Sequence, residues 1–191
     1  MPSADPRPLV GEPVSLDLMN TRWNSHGQPQ DLLTGTEGMD IWLRSNDERL
    51  AGVIGRPVGT PADPRAMMDA LLTARDALAA AVREPGNPEA VRQVDAVLAH
   101  GRIRAALTPE GPTESAEFED PAWAPAWAAA YDYLRLLRTA PDRIRACAHP
   151  RCVVHFFDTS RNGTRRWCSM AGCGNRAKAS RHYARARDER A

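Results

Sequence analysis

The 191-residue chain has a single lysine, Lys178, three phenylalanines, three tyrosines, and no cysteine before residue 147. It has no apolar run near the ~18 residues that a membrane-spanning helix needs. The stretch from Met1 to Gly11 is rich in proline and charge and lacks the apolar core of a secretory signal. No Ser-His-Asp set, phosphate-binding loop, dinucleotide fingerprint or HExxH helix stands out. These absences argue against a membrane protein and against the commonest enzyme chemistries, so no enzymatic activity is expected. The expected setting is cytoplasmic and reducing, where structural disulfides are rare. With 42% hydrophobic and 26% charged residues, the composition is that of an ordinary globular protein. The length suits one domain plus a small module, or two small domains.

Charge of either sign is balanced overall, with 25 Lys+Arg against 24 Asp+Glu and a formal net charge of +1. Along the chain it is segregated. Residues 1–142 hold 13 arginines against 21 acidic residues, a net −8, and residues 143–191 hold 12 cations against three acidic residues, a net +9. An acidic domain joined to a basic module is the asymmetry of a polyanion binder; two solvated surfaces of opposite sign are the alternative.

Four prolines between Pro2 and Pro13 predict an extended lead. Val14, Leu16 and Leu18 alternate with Ser15 and Asp17, which reads as a short strand, with a helical turn as the alternative for so short a run, and residues 24–36 read as a loop. Helices are expected over 38–50, with Ile41, Trp42 and Leu50 inward, and over 64–84. The second of these has Asp63 as N-cap, Pro64 in the first turn, and Met67, Leu71, Ala74, Leu78 and Ala81 as one stripe. A further helix follows Asn87-Pro88, with Val91, Val94 and Leu98 as contacts, making a helical hairpin. Residues 103–107 and 113–118 predict a two-stranded hairpin. A last helix over 121–139 places Trp123, Trp127, Ala130, Leu134 and Leu137 on one face. Pro141 marks a boundary. The fold class is thus α+β: a mainly helical N-terminal domain with short strands (about 1–140) and a small C-terminal module of β-hairpin and helix (about 141–191).

All four cysteines fall in that module, as Cys147-x4-Cys152 and Cys168-x4-Cys173 separated by fifteen residues. Two close pairs joined by a loop suit a tetrahedral ion, because each pair supplies two thiolates from one turn. Spacing and compartment favour one structural Zn²⁺ over four buried thiols or an iron–sulfur cluster. The spacer reads as a hairpin, with Val153 to Asp158 as one strand, Asn162-Gly163 as the turn, and 164–168 as the return. Few large apolar side chains lie in this tail, so a metal would supply missing stability. A closed four-thiolate shell leaves no open position for catalysis, and His149, His155 and His182 are not needed as ligands.

From Gly174 onward the composition suits a helix. Ala179, Tyr183 and Ala186 form a thin apolar stripe, and Lys178, Arg181, His182 and Arg185 face outward beside a hairpin tip carrying Arg161, Arg165 and Arg166. That face suits phosphates, with a merely solvated helix as the alternative. Arg176 is turned nearer the apolar side, where it would support the metal site.

The run Arg165-Arg166-Trp167-Cys168-Ser169-Met170-Ala171-Gly172-Cys173-Gly174-Asn175-Arg176-Ala177-Lys178 resembles the CGNR zinc-finger family, named for the tetrapeptide at 173–176, and the likeness extends to Asp158 and Ser160-Arg161-Asn162. Upstream, Leu16-Asp17-Leu18-Met19-Asn20-Thr21 resembles the opening motif of the ABATE domain. The resemblance implies a bacterial stress-responsive transcription regulator: a finger that binds DNA, in which Asn175 and Arg176 are structural, and an N-terminal domain that senses or assembles. Asp17, Asn20, Thr21 and Arg22 are candidates for binding a small-molecule effector, although such groups more often cap helices and fasten loops. RNA binding by a zinc ribbon and protein interaction remain alternatives, and a homodimer is compatible with all three.

Overall fold

The computed structural model describes residues 4–180. Among these, five α-helices dominate: α1 (Val14–Met19), α2 (Thr36–Ile54), α3 (Pro64–Arg83), α4 (Pro88–Leu98) and α5 (Ala124–Thr139). Six short strands form three separate antiparallel pairs: β1 (Arg22–Ser25) with β2 (Gln28–Asp31), β3 (Gly101–Thr108) with β4 (Gly111–Phe118), and β5 (Ile144–Ala146) with β6 (His155–Phe157). The fold is α+β and rich in helix. No helix among the described residues is long and apolar enough to cross a membrane.

Local chemistry sets the helix ends. The Asp63 carboxylate accepts from the backbone N–H groups of Arg65 and Ala66, and Asn87 does the same for Glu89 and Ala90, with Pro64 and Pro88 in the first turns. In α3 the stripe Met67, Leu71, Ala74, Leu78 and Ala81 is buried as the spacing predicts, against α1, α4 and α5. Elsewhere the buried face is rotated. In α4 it is Ala90, Val94 and Val97, which leaves Val91 half exposed. In α5 it passes from Trp127 and Ala130 to Tyr133 and Leu136, so Leu137 points outward. Trp123 stacks on His100, ring centroids 3.5 Å apart.

Three segments differ from the sequence expectation. Residues 14–19 are a helix, not a strand. The alternation held no information about solvent, because all six residues are buried. Ser15 finds an internal partner in Asp132, which accepts from its N–H and its hydroxyl. The expected loop at 24–36 contains the β1–β2 hairpin, turned by His26 and Gly27, both with positive φ (49° and 81°). That is the backbone a two-residue hairpin turn requires. Finally, β6 pairs with β5 and not with residues 164–168. Asn162-Gly163 does turn the chain, with Gly163 at φ 63°, but no strand follows it among the described residues. The Asp158 carboxylate organises this loop by accepting from Ser160 N–H, Ser160 Oγ and Arg165 N–H.

Candidate metal centre

The β5–β6 pair carries the first cysteine pair between its strands. Cys147 N–H donates to Val154 O at 3.0 Å, so the segment 147–154 closes as a knuckle. Beyond the Asp158 loop, Ala148 N–H donates to Arg166 O at 2.8 Å and brings Cys168 back over that knuckle. A single π-helical turn, Met170–Gly174, then presents Cys173, and residues 175–180 continue as α-helix. A side chain at Gly174 would meet Met170 Sδ at 2.8 Å, so this position lets Met170 and Trp167 pack onto the backbone.

The four Sγ atoms lie within 4.8 Å of one another, with Cys168 Sγ 3.9 Å from Cys152 Sγ and 3.6 Å from Cys173 Sγ. A tetrahedral zinc site with ~2.3 Å Zn–S bonds places its sulfurs about 3.8 Å apart, so the donor set fits one structural Zn²⁺. The thiols also need a cation in order to ionise together. The hydrogen bond with Cys168 pulls Cys152 down to about 5, the same bond pushes Cys168 up, and burial pushes Cys147 up. Thiolates at such distances repel one another, and a bound cation offsets that repulsion. The remaining negative charge meets Arg176, whose Nη2 donates to Cys173 Sγ at 3.0 Å, and Cys168 N–H, which donates to Cys147 Sγ at 3.4 Å. Hydrogen bonding to Cys173 raises the Arg176 guanidinium above its ordinary value. Asn175 is exposed and reaches Ala171 O only at 3.4 Å.

The cations expected at the surface separate into two groups. Arg161, Arg166 and Lys178 are exposed and make no ion pair among the described residues; Arg166 lies over the Trp167 ring at 5.3 Å. Arg165 turns inward instead. It donates to Trp167 O and Cys168 O, lies 4.3 Å above the Phe156 ring, and stands 3.8 Å from Glu12. Ala179, expected on the apolar stripe, is exposed, and Ala177 is the half-buried residue of that turn. Arg181, His182, Tyr183, Arg185 and Ala186 lie outside the described residues. Arg151 was missed from sequence. It sits in the knuckle and lines a 360 Å³ groove with Arg166, Trp167 and Ser180.

The upstream motif is placed inside the protein. Asp17, fully buried, accepts from Arg7 (2.6 Å), Asn46 (2.9 Å) and Gly11 N–H (2.9 Å). Thr21 donates to Leu18 O and accepts from Arg75, and exposed Arg22 pairs with Asp31 and Asp76. Asn20 reaches across to the metal-bearing region. Its Nδ2 donates to His155 O at 2.8 Å and its Oδ1 accepts from His155 N–H at 2.9 Å. Glu12 accepts from Phe157 N–H at 2.8 Å, and Asn24 donates to Arg151 O at 2.8 Å. These four motif positions therefore meet protein groups, and Asn20 joins the two halves of the chain.

No curated protein matches the chain. Residues 143–186 match the family described as the CGNR zinc finger, which spans all four cysteines. Residues 12–140 match ABATE, described as a "putative stress-induced transcription regulator", and take in Glu12, Asn20 and Asn24. That second match covers well over half of the sequence, and the chain accordingly belongs to the ABATE family and carries a CGNR zinc finger.

Proposed function

We propose that the protein is a cytoplasmic, zinc-dependent transcription regulator that binds DNA through the outward cations of its finger. The observation that carries this reading is the groove shared by Arg151, Arg166 and Trp167, whose two guanidinium groups have no acidic partner among the described residues. A guanidinium without a carboxylate partner is free for a phosphate, and its fork geometry suits one. Exposed Arg161 and Lys178 are further candidate contacts, as are Arg181, His182 and Arg185, which follow Lys178 in the sequence. Arg165 and Arg176 have structural work and do not contribute.

With Arg151 in place of Arg165, six cations would contact phosphates, and log K for DNA should fall with log[salt] at a slope of about −5. The test is selection of bound duplexes from a random pool with full-length zinc-loaded protein, followed by a salt titration of the selected sequence. The spacing of paired half-sites in the pool would also report a dimer. An affinity independent of salt would overturn the proposal. The Arg166–Trp167 platform also favours a second reading, stacking of unpaired RNA bases, which single-stranded RNA competing better than duplex DNA would support.

A further inference from the structure

Between the two matched segments lies a cleft of about 980 Å³, at the upper end of the size range of small-molecule sites. Buried Met19 and Trp23 line it, and half-buried Ala79 and Val82 of α3 supply one wall. The zinc knuckle supplies the other wall, with half-exposed Val153 and His155 among its lining residues. A half-exposed valine beside a buried tryptophan is the kind of surface that an apolar ligand covers favourably.

The charges around this cleft are unevenly matched. Asp31 is held by Arg75 at 2.6 and 3.0 Å and by Arg22 at 3.2 Å, so it has little capacity left for a ligand cation. Arg22 is itself paired with Asp31 and Asp76. Arg83, at the last turn of α3, also lines the cleft, and its guanidinium has no ion pair or hydrogen bond among the described residues. Burial and the charge of Arg83 favour the neutral form of the His155 imidazole, which leaves Arg83 as the cation that faces the cleft without a carboxylate. One unmatched guanidinium at the mouth of an apolar cleft selects a single anionic head on an apolar body.

We infer that this cleft binds an apolar monocarboxylate, with the carboxylate on Arg83 and the body between Trp23, Val82 and Val153. Because one wall belongs to the helical region and the other to the knuckle bearing Cys152, a bound ligand touches both. An effect of the ligand on DNA affinity rests on the function proposed above; the binding itself does not.

The test titrates full-length zinc-loaded protein with 1-naphthoate and with its neutral isostere 1-naphthamide, by calorimetry and without DNA. The expected result is saturable binding of naphthoate at one site per chain, with a dissociation constant below about 1 mM and tighter than that of the amide. Arg83→Met should weaken naphthoate about tenfold and leave the amide unchanged, since only a charge-assisted contact is lost. Ala79→Trp should close the cleft to both compounds, with an unchanged circular dichroism spectrum showing that the fold is kept. Absence of saturation, equal affinity for acid and amide, or unaltered binding by Ala79→Trp would overturn the inference. None of these readouts involves nucleic acid, so failure to bind DNA and failure to bind naphthoate are separate results.

Discussion

Arginine does opposite work in the two halves of the molecule. Before residue 140, Arg7, Arg22, Arg49, Arg75, Arg92, Arg102 and Arg104 all pair with carboxylates, and Arg7 and Arg75 are buried in doing so. After it, Arg143 binds the carbonyls of Asp158 and Ser160, Arg165 those of Trp167 and Cys168, and Arg176 a ligand sulfur. Arg151, Arg161, Arg166 and Lys178 have no acidic partner among the described residues. A formal charge of +1 for the whole chain therefore hides two environments: one in which seven of thirteen arginines pair with carboxylates, and one that, among the described residues, uses three arginines structurally and exposes the other cations.

The largest test of this contrast removes the metal. Cys173→Ser should lower the zinc content from one per chain to none and unfold the finger, because binding of structural zinc is worth on the order of 10 kcal/mol in small fingers. Hydrogen exchange should then show protection retained in α3 and lost over 143–180. A finger still protected without zinc would erase the difference between the halves.

Next in size, Arg75→Met should lower stability by about 2–4 kcal/mol, since it removes a buried cation and leaves Asp31 and Thr21 short of partners. Thermal melts of wild type and variant would show it. Asn20→Ala should cost about 1–3 kcal/mol through two lost hydrogen bonds, and it should raise amide exchange at His155 before it affects α3.

A smaller effect comes from pH. Burial, and then the charge of Arg83, hold the His155 imidazole below its ordinary 6.5, against the hydrogen bond to Val153. The folded protein thus takes up this proton later than the unfolded chain does. The stability it contributes is complete above pH 6.5 and is lost as pH falls below that value and through the lowered one. Melting temperature should drop between pH 7.5 and 5.5, and His155→Asn should flatten part of that drop. Smallest for stability is Arg166→Gln, expected within about 0.5 kcal/mol of wild type because the exposed guanidinium makes no ion pair among the described residues and touches only the Trp167 ring. For DNA it should make the salt slope shallower by about 0.9.

What the sequence revealed depended on how local the cause was. Asp63 and Asn87 cap their helices two and three residues away, so α3 and α4 were legible, and the cysteine spacing announced the ion for the same reason. Residues 14–19 read as a strand because the partner of Ser15 is Asp132, 117 residues away, and a polar residue with an internal partner looks like one facing water. The finger's strand pairing was hidden because Asn162-Gly163 turns the chain as its type predicts, while the Asp158 carboxylate holds residues 160–165 in a loop and keeps them from returning as a strand. Arg165 had the same residue type as Arg166, and only Glu12 and Phe156 distinguish its direction. The cleft was illegible because it is built from segments that meet only in the folded chain.

The grip of Asn20 and Glu12 on β6 bears on how transferable the finger is. One edge of β6 is taken by β5. On the other, two side chains from the ABATE region meet the peptide groups of His155 and Phe157, alternate positions of the strand, as a third strand would. Phe156 between them is fully covered. A finger grafted onto an unrelated scaffold would keep its zinc ligands but show a bare strand edge, ready to pair with its own copy. The unit that can be transplanted therefore comprises the metal-binding sequence together with the two side chains, Glu12 and Asn20, that cover its open edge.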